Sequence, residues 1–218
     1  PEDLNILGIT TVAGNVSLLK TSRNARIIAE IGGRYDMRIF SGSEKPLIQK
    51  LVTAEHVHGA EGIDGAPIYE PKLKLQKEHA VDFIISTLVM APDNSITLVP
   101  TGPLTNIALA LSKKPKIIDK IKEIVLMGGA MREGGNTTPS AEFNIFVDPH
   151  AANIVFRCGR PITVIPLDTT HQVITNKKIT EKIGNIGNRV GEIVKSMLEF
   201  YNRFDKKKYG TDGGPLHD

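Results

Sequence analysis

Residues 95–130 read SITLVPTGPLTNIALALSKKPKIIDKIKEIVLMGGA, and this stretch decides the fold class. It opens with an apolar, β-branched run at 95–102, which predicts a strand. Residues 104–115 have apolar positions at helical spacing and end at Pro115, which cannot continue a helix. A second apolar run follows at 121–130. The stretch therefore predicts a strand–helix–strand unit whose two strands run parallel.

The same alternation continues on both sides of this unit. Strands buried on both faces read as near-continuous apolar runs, so we expect an α/β fold with a mostly parallel sheet and helices on both faces. One domain is expected over residues 1–218. In one of its helices, Asp148 is the predicted N-cap and Pro149 the first residue. The other predicted strands are 5–13, 37–42 and 161–168, and the other predicted helices are 20–32, 77–91, 148–159 and the later half of 179–204.

Composition narrows the class of protein. A chain of 218 residues with 40% apolar and 23% charged residues can bury a sizeable core. The net charge of +3 is too weak to indicate nucleic acid, and the lysines at 206–208 read as a solvated helix face. No apolar run approaches the roughly 18 residues of a membrane helix. The single cysteine, Cys158, reads as a packed side chain, and it favours a reducing, cytoplasmic location.

The loops that follow the predicted strands are the places to look for a site. In open parallel sheets, ligands bind beyond the carboxyl ends of the strands. Thr101, Gly102 and Pro103 lie where a strand becomes a helix, so Thr101 can expose a carbonyl or hydroxyl oxygen there. Gly128 and Gly129 allow a ligand to approach the backbone closely. Plain tight turns explain both segments equally simply.

Glu142 and Asn144 form a further candidate pair in the stretch AEFN. In an extended chain, residues two apart point to the same side. A carboxylate and an amide placed side by side can bind the hydroxyl groups of a sugar. The alternative is a solvent-facing edge strand.

Histidines make up the last candidates. His56 and His58 share one side if their segment is extended, as a zinc pair would, but no third ligand has suitable spacing. His217 can titrate near neutral pH, and Asp218 offers oxygen to a hard cation. An exposed chain end is the alternative for this last pair.

Seven motifs, taken together and in order, are more specific than any one of them. They are TTVAGNV (10–16), AEHVHG (54–59), TGPLTNIALAL (101–111), MGG (127–129), AEFNIFVDPHAA (141–152), LDTTHQ (167–172) and PLHD (215–218). This series closely resembles the inosine–uridine preferring nucleoside hydrolase family over essentially the whole chain. The resemblance implies a calcium-dependent enzyme that splits a ribonucleoside into ribose and free base.

The resemblance also implies roles for individual residues. Ca²⁺ takes about 6–8 oxygen ligands, and a ribose diol can complete such a set. A histidine near its ordinary pKa of about 6.5 suits protonation of the departing base. The implied roles are ribose contact for Asn15, Met127, Asn136, Glu142 and Asn144, a base-side position for His58, proton donation for His217, and calcium ligation by the Thr101 carbonyl and the Asp218 carboxylate.

The base side is less closely defined. Some purine-specific members of the family carry tryptophan where this chain has His58 and His217, and the sequence contains no tryptophan. The histidines thus favour an inosine–uridine or pyrimidine preference. Tyr209 can bond to or stack on the base, or it can pack at a helix end. The resemblance further suggests a homodimer or homotetramer.

One family element is missing from the sequence. Members carry an early strand followed by an aspartate-rich DxDxGxDD loop, which supplies calcium carboxylates and the aspartate that activates water. Glu2 and Asp3 do not form it. We therefore expect a chain truncated at both ends. Alone, it would give calcium one side chain and one carbonyl, with little or no activity. The alternatives are a homologue that binds ribose or nucleoside without turnover, and a sugar-binding transport domain, for which no secretory signal is seen.

Overall fold

The fold is α/β with mostly parallel strands, as the sequence predicts. A computed structural model describes residues 4–217, apart from the side chains of residues 205, 208 and 209. The elements are β1 (Ile9–Thr11), α1 (Leu18–Ile31), β2 (Ile39–Ser41), α2 (Glu55–His58), α3 (Ala80–Met90), β3 (Ile96–Leu98), α4 (Thr105–Lys113), a 3-10 helix (Pro115–Lys120), β4 (Ile121–Met127), α5 (Phe143–Val147), α6 (Pro149–Phe156), β5 (Ile162–Ile165), α7 (Leu167–Thr170), β6 (Ile174–Asn176), α8 (Lys177–Gly184), α9 (Arg189–Tyr209) and β7 (Gly213–Pro215).

The strands form three small sheets. β1 pairs with β2 in parallel, and β3, β4 and β5 form a parallel sheet in that order. β6 and β7 form an antiparallel pair that sequence reasoning did not predict. Several strands are shorter than predicted: hydrogen-bonded pairing covers Ile9–Thr11, not 5–13. In the segment 179–204, the earlier part is also helical and belongs to α8. A short break separates α8 from α9, and Asn188 begins α9 by accepting a hydrogen bond from Gly191 N.

The largest hydrophobic cluster packs α3, α4 and α6 onto the three-stranded sheet. Its fully buried members include Leu104, Ile121, Ile124 and Val155. Cys158 packs against the edge of this cluster, as predicted. Among the described residues, no helix combines the length and the apolar character needed to cross a bilayer. The core thus fixes the sheet from which the site loops project.

A buried amide ties the strand ends together. Asn106, in the first turn of α4, donates from Nδ2 to the Thr11 carbonyl (2.9 Å) and accepts at Oδ1 from Ser43 N (3.0 Å). Gly42 allows this approach, because a Cβ there would lie 2.4 Å from Asn106 Oδ1. Asn106 thereby joins the carboxyl ends of β1 and β2 to the helix that follows β3.

A buried carboxylate holds the next set of segments. Asp148 is fully buried, and it caps α6 as predicted by accepting from Ala151 N (3.0 Å), with Pro149 in the first turn. Its other oxygen accepts from Thr105 Oγ1 (2.7 Å) and from Leu47 N (2.9 Å). One carboxylate therefore satisfies donors on three parts of the chain.

We predict that Asp148→Asn lowers the free energy of unfolding by about 2–3 kcal/mol, because an amide group would face a buried donor and leave it unpaired. Chemical denaturation measures this change. Asp119→Asn is the matched control, since Asp119 is exposed. Equal stability of the two variants would contradict the role given to Asp148.

Candidate functional site

A cavity of about 920 Å³ opens among the strand-end loops, α2, α9 and β7. Its walls come from segments far apart in sequence, which the tied strand ends bring together. Of the ten residues predicted to form the site, seven line it: Asn15, His58, Met127, Asn136, Glu142, Asn144 and His217.

The other three predicted site residues are not part of the described lining. Thr101 is exposed in the loop between β3 and α4 and does not line the cavity. Asp218 and the side chain of Tyr209 lie outside the described residues. The predicted metal ligands therefore have no described geometry beyond the position of Thr101.

Glu142 adopts a different conformation from the one predicted. The segment after it is not extended, because its carboxylate caps α5 by accepting from Asn144 N (2.9 Å) and Ile145 N (3.2 Å). One of its oxygens also accepts from Gly129 N (2.9 Å). Burial raises the pKa of Glu142, against the opposing effect of these three bonds. Glu142 thus holds α5 to the glycine turn after β4.

Two amides complete this wall of the cavity. Asn144 Nδ2 donates to the Met127 carbonyl (3.3 Å) at the end of β4. Asn136 Oδ1 accepts from Phe143 N (2.9 Å), which fixes the loop before α5 to the start of that helix. Asn15, which follows β1, also lines the cavity, and these polar residues are here called the amide wall.

A second set of lining residues, here called the aromatic wall, is aromatic and rich in imidazole. His58 stacks on Tyr201 with ring centroids 5.7 Å apart, and Tyr201 meets His217 edge-on at 6.5 Å. His58 and His56 lie on the one-turn helix α2, so the extended arrangement in which the two would share one side is not present. His217 Nδ1 shares a hydrogen bond with Thr170 Oγ1 (2.9 Å). A flat heterocycle fits against such a surface.

Burial changes the protonation of this wall. It lowers the pKa of both His58 and His217 to about 4. Neighbouring histidines lower the pKa further, His56 for His58, and His171 and His58 for His217. The expectation of a histidine near 6.5 is therefore wrong for His217, since a histidine's ordinary pKa describes an exposed ring. Both rings are neutral at pH 7.

Sequence reasoning missed several lining residues. Met197, Tyr201 and Phe204 lie on α9 at helical spacing, a pattern that reads as core packing. His171 and Glu133 also line the cavity, although no role was assigned to them. The signal that could have found His171 is the motif LDTTHQ, which was noted as a strand-end loop.

The described residues do not complete a calcium site. No group of three or more His, Cys, Asp or Glu side chains in residues 4–217 is placed to hold a metal ion. Ca²⁺ needs about 6–8 oxygen ligands. The oxygen donors that the structure describes therefore do not fit a complete metal cage on their own.

The carboxylate of Asp168 fixes the loop after β4, and these contacts are here called the Asp168 clamp. Asp168, in α7, accepts from Met131 N (2.8 Å), Arg132 N (2.8 Å) and Glu133 N (3.3 Å). The bond from Met131 is the main cause of its lowered pKa. This clamp places Glu133 at the cavity and anchors the start of the loop that carries Asn136.

Comparisons with known proteins cover almost the whole chain. The family model described as inosine-uridine preferring nucleoside hydrolase matches residues 1–218. An uncharacterized protein of Schizosaccharomyces pombe is 50% identical over 216 residues, which are 99% of this chain and 70% of that protein. The pyrimidine-specific ribonucleoside hydrolase RihB of Shigella flexneri is 43% identical over 99% of this chain and 68% of its own.

A solved structure agrees with the fold. The purine-preferring ribonucleoside hydrolase of Gardnerella vaginalis superposes with a TM-score of 0.92 at 36% identity. The match covers 98% of this chain and 69% of that one. The similarity thus extends from the motifs to the whole arrangement of described elements.

We predict that Asp168→Asn speeds amide hydrogen exchange at residues 131–133. Because the pKa of Asp168 is lowered in the fold, its stabilising contribution is complete above its ordinary pKa of 3.8 and is lost as the pH falls through the folded value. Exchange protection in the unaltered protein should therefore approach that of the variant at lower pH. Unchanged exchange in Asp168→Asn, relative to Asp119→Asn, would rule out the clamp.

Proposed function

Because the chain belongs to the inosine–uridine preferring nucleoside hydrolase family, we propose that it hydrolyses the N-glycosidic bond of ribonucleosides. The C1′–N bond breaks, the oxygen of water bonds to C1′, and the base leaves with a proton. Two of the reported relatives, from Shigella flexneri and Gardnerella vaginalis, are ribonucleoside hydrolases. The observation that carries the proposal is the cavity, whose lining combines amides with imidazole and phenol rings.

The amide wall is proposed as the sugar side. Glycosidic cleavage passes through a sugar with oxocarbenium character, which oxygen dipoles around the ring stabilise. Glu142 has most of its carboxylate engaged by backbone N–H groups. We therefore give it the double role of fixing α5 and of presenting a polar edge to the sugar. The residues proposed to contact ribose are Asn15, Met127, Asn136, Glu142 and Asn144.

The aromatic wall is proposed as the base side, formed by His58, Tyr201 and His217, with Tyr209 as a further base contact. A ring with a pKa of about 4 holds no stored proton at pH 7. His217 can still donate a hydrogen bond from its neutral ring. As negative charge develops on the leaving base, it raises the pKa of His217, so the ring takes up a proton from solvent, passes that proton to the base and returns to its neutral form.

A pyrimidine or inosine–uridine preference is proposed for the base. The relatives differ in this respect, since RihB of Shigella flexneri is pyrimidine-specific and the Gardnerella vaginalis enzyme is purine-preferring. The preference rests on histidines at 58 and 217 in place of tryptophan. Its test is the ratio of kcat/KM values for uridine, cytidine, inosine and adenosine.

The remaining proposals concern the metal and the assembly. Calcium is the proposed metal, with the Thr101 carbonyl and Asp218 as two of its ligands. When bound, it would orient a water and favour its deprotonation. A homodimer or homotetramer in the cytoplasm also remains a prediction, which light scattering and cell fractionation can check. The alternative function, nucleoside binding without turnover, keeps both walls and loses the activated water.

We predict ribose release from uridine by the purified protein, measured with a reducing-sugar assay. If folded protein releases no ribose after prolonged incubation with uridine, cytidine, inosine or adenosine, the hydrolase proposal is rejected. If calorimetry then shows nucleoside binding, the alternative function stands in its place.

The same assay tests calcium. A chelator should abolish ribose release, and added Ca²⁺ should restore it. Full activity in the chelator would contradict the calcium proposal and leave the hydrolase proposal standing.

We predict that Thr170→Val lowers kcat for uridine about tenfold with little change in KM, because His217 loses the hydroxyl that orients it. Thr170→Ser should restore activity. p-Nitrophenyl ribofuranoside, whose leaving group needs no protonation, should be affected less.

Thr169→Val is the matched control for this substitution, since Thr169 is the exposed neighbour on α7 and does not line the cavity. Equal losses on uridine and on the activated riboside would show that Thr170 does not act through His217.

A further inference from the structure

His171 has a contact that the proposed mechanism leaves unused. It lines the cavity, and its Nδ1 lies 3.2 Å from Glu133 Oε2. Its ring centroid is 5.9 Å from that of His217. Two rings at this separation can touch the same flat ligand. His171 therefore stands beside the proposed base position, next to the residue expected to serve the glycosidic nitrogen.

Helix α7 positions both members of the His171–Glu133 pair. Asp168, in α7, accepts the backbone N–H of Glu133, while His171 ends the same helix. The four residues from Asp168 to His171 thus position both the imidazole and the loop that carries its carboxylate partner. The ring orientation is set before any ligand enters the cavity.

The carboxylate of Glu133 determines which ring nitrogen of His171 carries the proton. A carboxylate only accepts hydrogen bonds, so Nδ1 of His171 is the donor to Glu133. In the neutral ring, Nε2 then has a lone pair and acts as an acceptor. Among the described residues, Nε2 has no hydrogen-bond partner. Such an atom suits a ligand that offers an N–H group.

We propose that His171, oriented by Glu133, is a specificity-determining residue that accepts a hydrogen bond from an N–H group on the base. Uracil offers its N3–H, cytosine its amino group and hypoxanthine its N1–H. The inference rests on the proposed function, because it assigns one edge of the substrate base. Glu133 acts through His171 and is a positioning residue.

The solvent exposure of His171 and Glu133 allows a role in base recognition to be distinguished from a role in stability. The side chains of His171 and Glu133 are 36% and 52% exposed. Ion pairs at such positions contribute little to stability. Substitutions here should leave the fold intact, so any selective change in base binding reports on recognition.

The test uses pseudouridine, whose carbon–carbon glycosidic bond prevents hydrolysis by the proposed reaction and whose N3–H occupies the same place as in uridine. Calorimetry at about pH 8 measures Kd for pseudouridine and for N3-methylpseudouridine. The ratio of the two Kd values isolates the N3–H group from the rest of the ligand.

Glu133→Gln and His171→Leu should each reduce that ratio about tenfold, the effect of one lost hydrogen bond. A glutamine amide can donate to Nδ1, which moves the ring proton to Nε2 and turns the acceptor into a donor. His171→Gln keeps an acceptor oxygen and should retain most of the ratio. Glu123→Gln is the matched charge control, because Glu123 lies on β4 and does not line the cavity.

The outcomes separate the two proposals. A ratio unchanged in both Glu133→Gln and His171→Leu overturns the role of His171 alone. Failure of the unaltered protein to bind either nucleoside overturns this role together with the proposed function. If the Kd ratio changes in the variants as described but the protein releases no ribose from uridine, the role of His171 is supported and the hydrolysis proposal is rejected.

Discussion

The buried carboxylate of Asp148 is the constraint on which the cavity depends. It joins the end of α5 to the start of α6, and it binds the first residue of α4 and the loop after β2. Asn106, next to Thr105, extends the same connection to the ends of β1 and β2. Apolar packing can bring these elements together, but it does not set their register. Directional bonds to buried oxygens do, because each unpaired donor would be costly.

This scaffold produces two walls of different chemistry in one cavity. Glu142 fixes the amide wall through backbone donors, and α7 fixes the imidazole wall through Asp168 and Thr170. The residues that face the cavity thus depend on buried or half-buried partners one step away. A similar dependence is common in sites where side chains must be held in place before a ligand arrives.

The sequence predicted the elements better than it predicted their details. The strand–helix–strand unit at 95–130 and the cap at Asp148 followed from apolar periodicity and from local capping chemistry, which depend on neighbours in the chain. Glu142 was placed in an extended segment because alternating apolar residues resemble a strand, whereas its carboxylate caps a short helix. The lowered pKa of His217 depends on burial by distant segments, and Tyr201 has the spacing of a core residue. These properties arise only when the chain is folded.

The short helix α7 has a consequence for motion. Asp168 on it holds the loop after β4, Thr170 holds the ring of His217, and His171 follows directly as the residue after the helix. A displacement of α7 would therefore move these three groups together, as one body. The conformational entropy of ordering that body is therefore lost during folding, and a ligand that enters meets a surface whose disorder has already been removed.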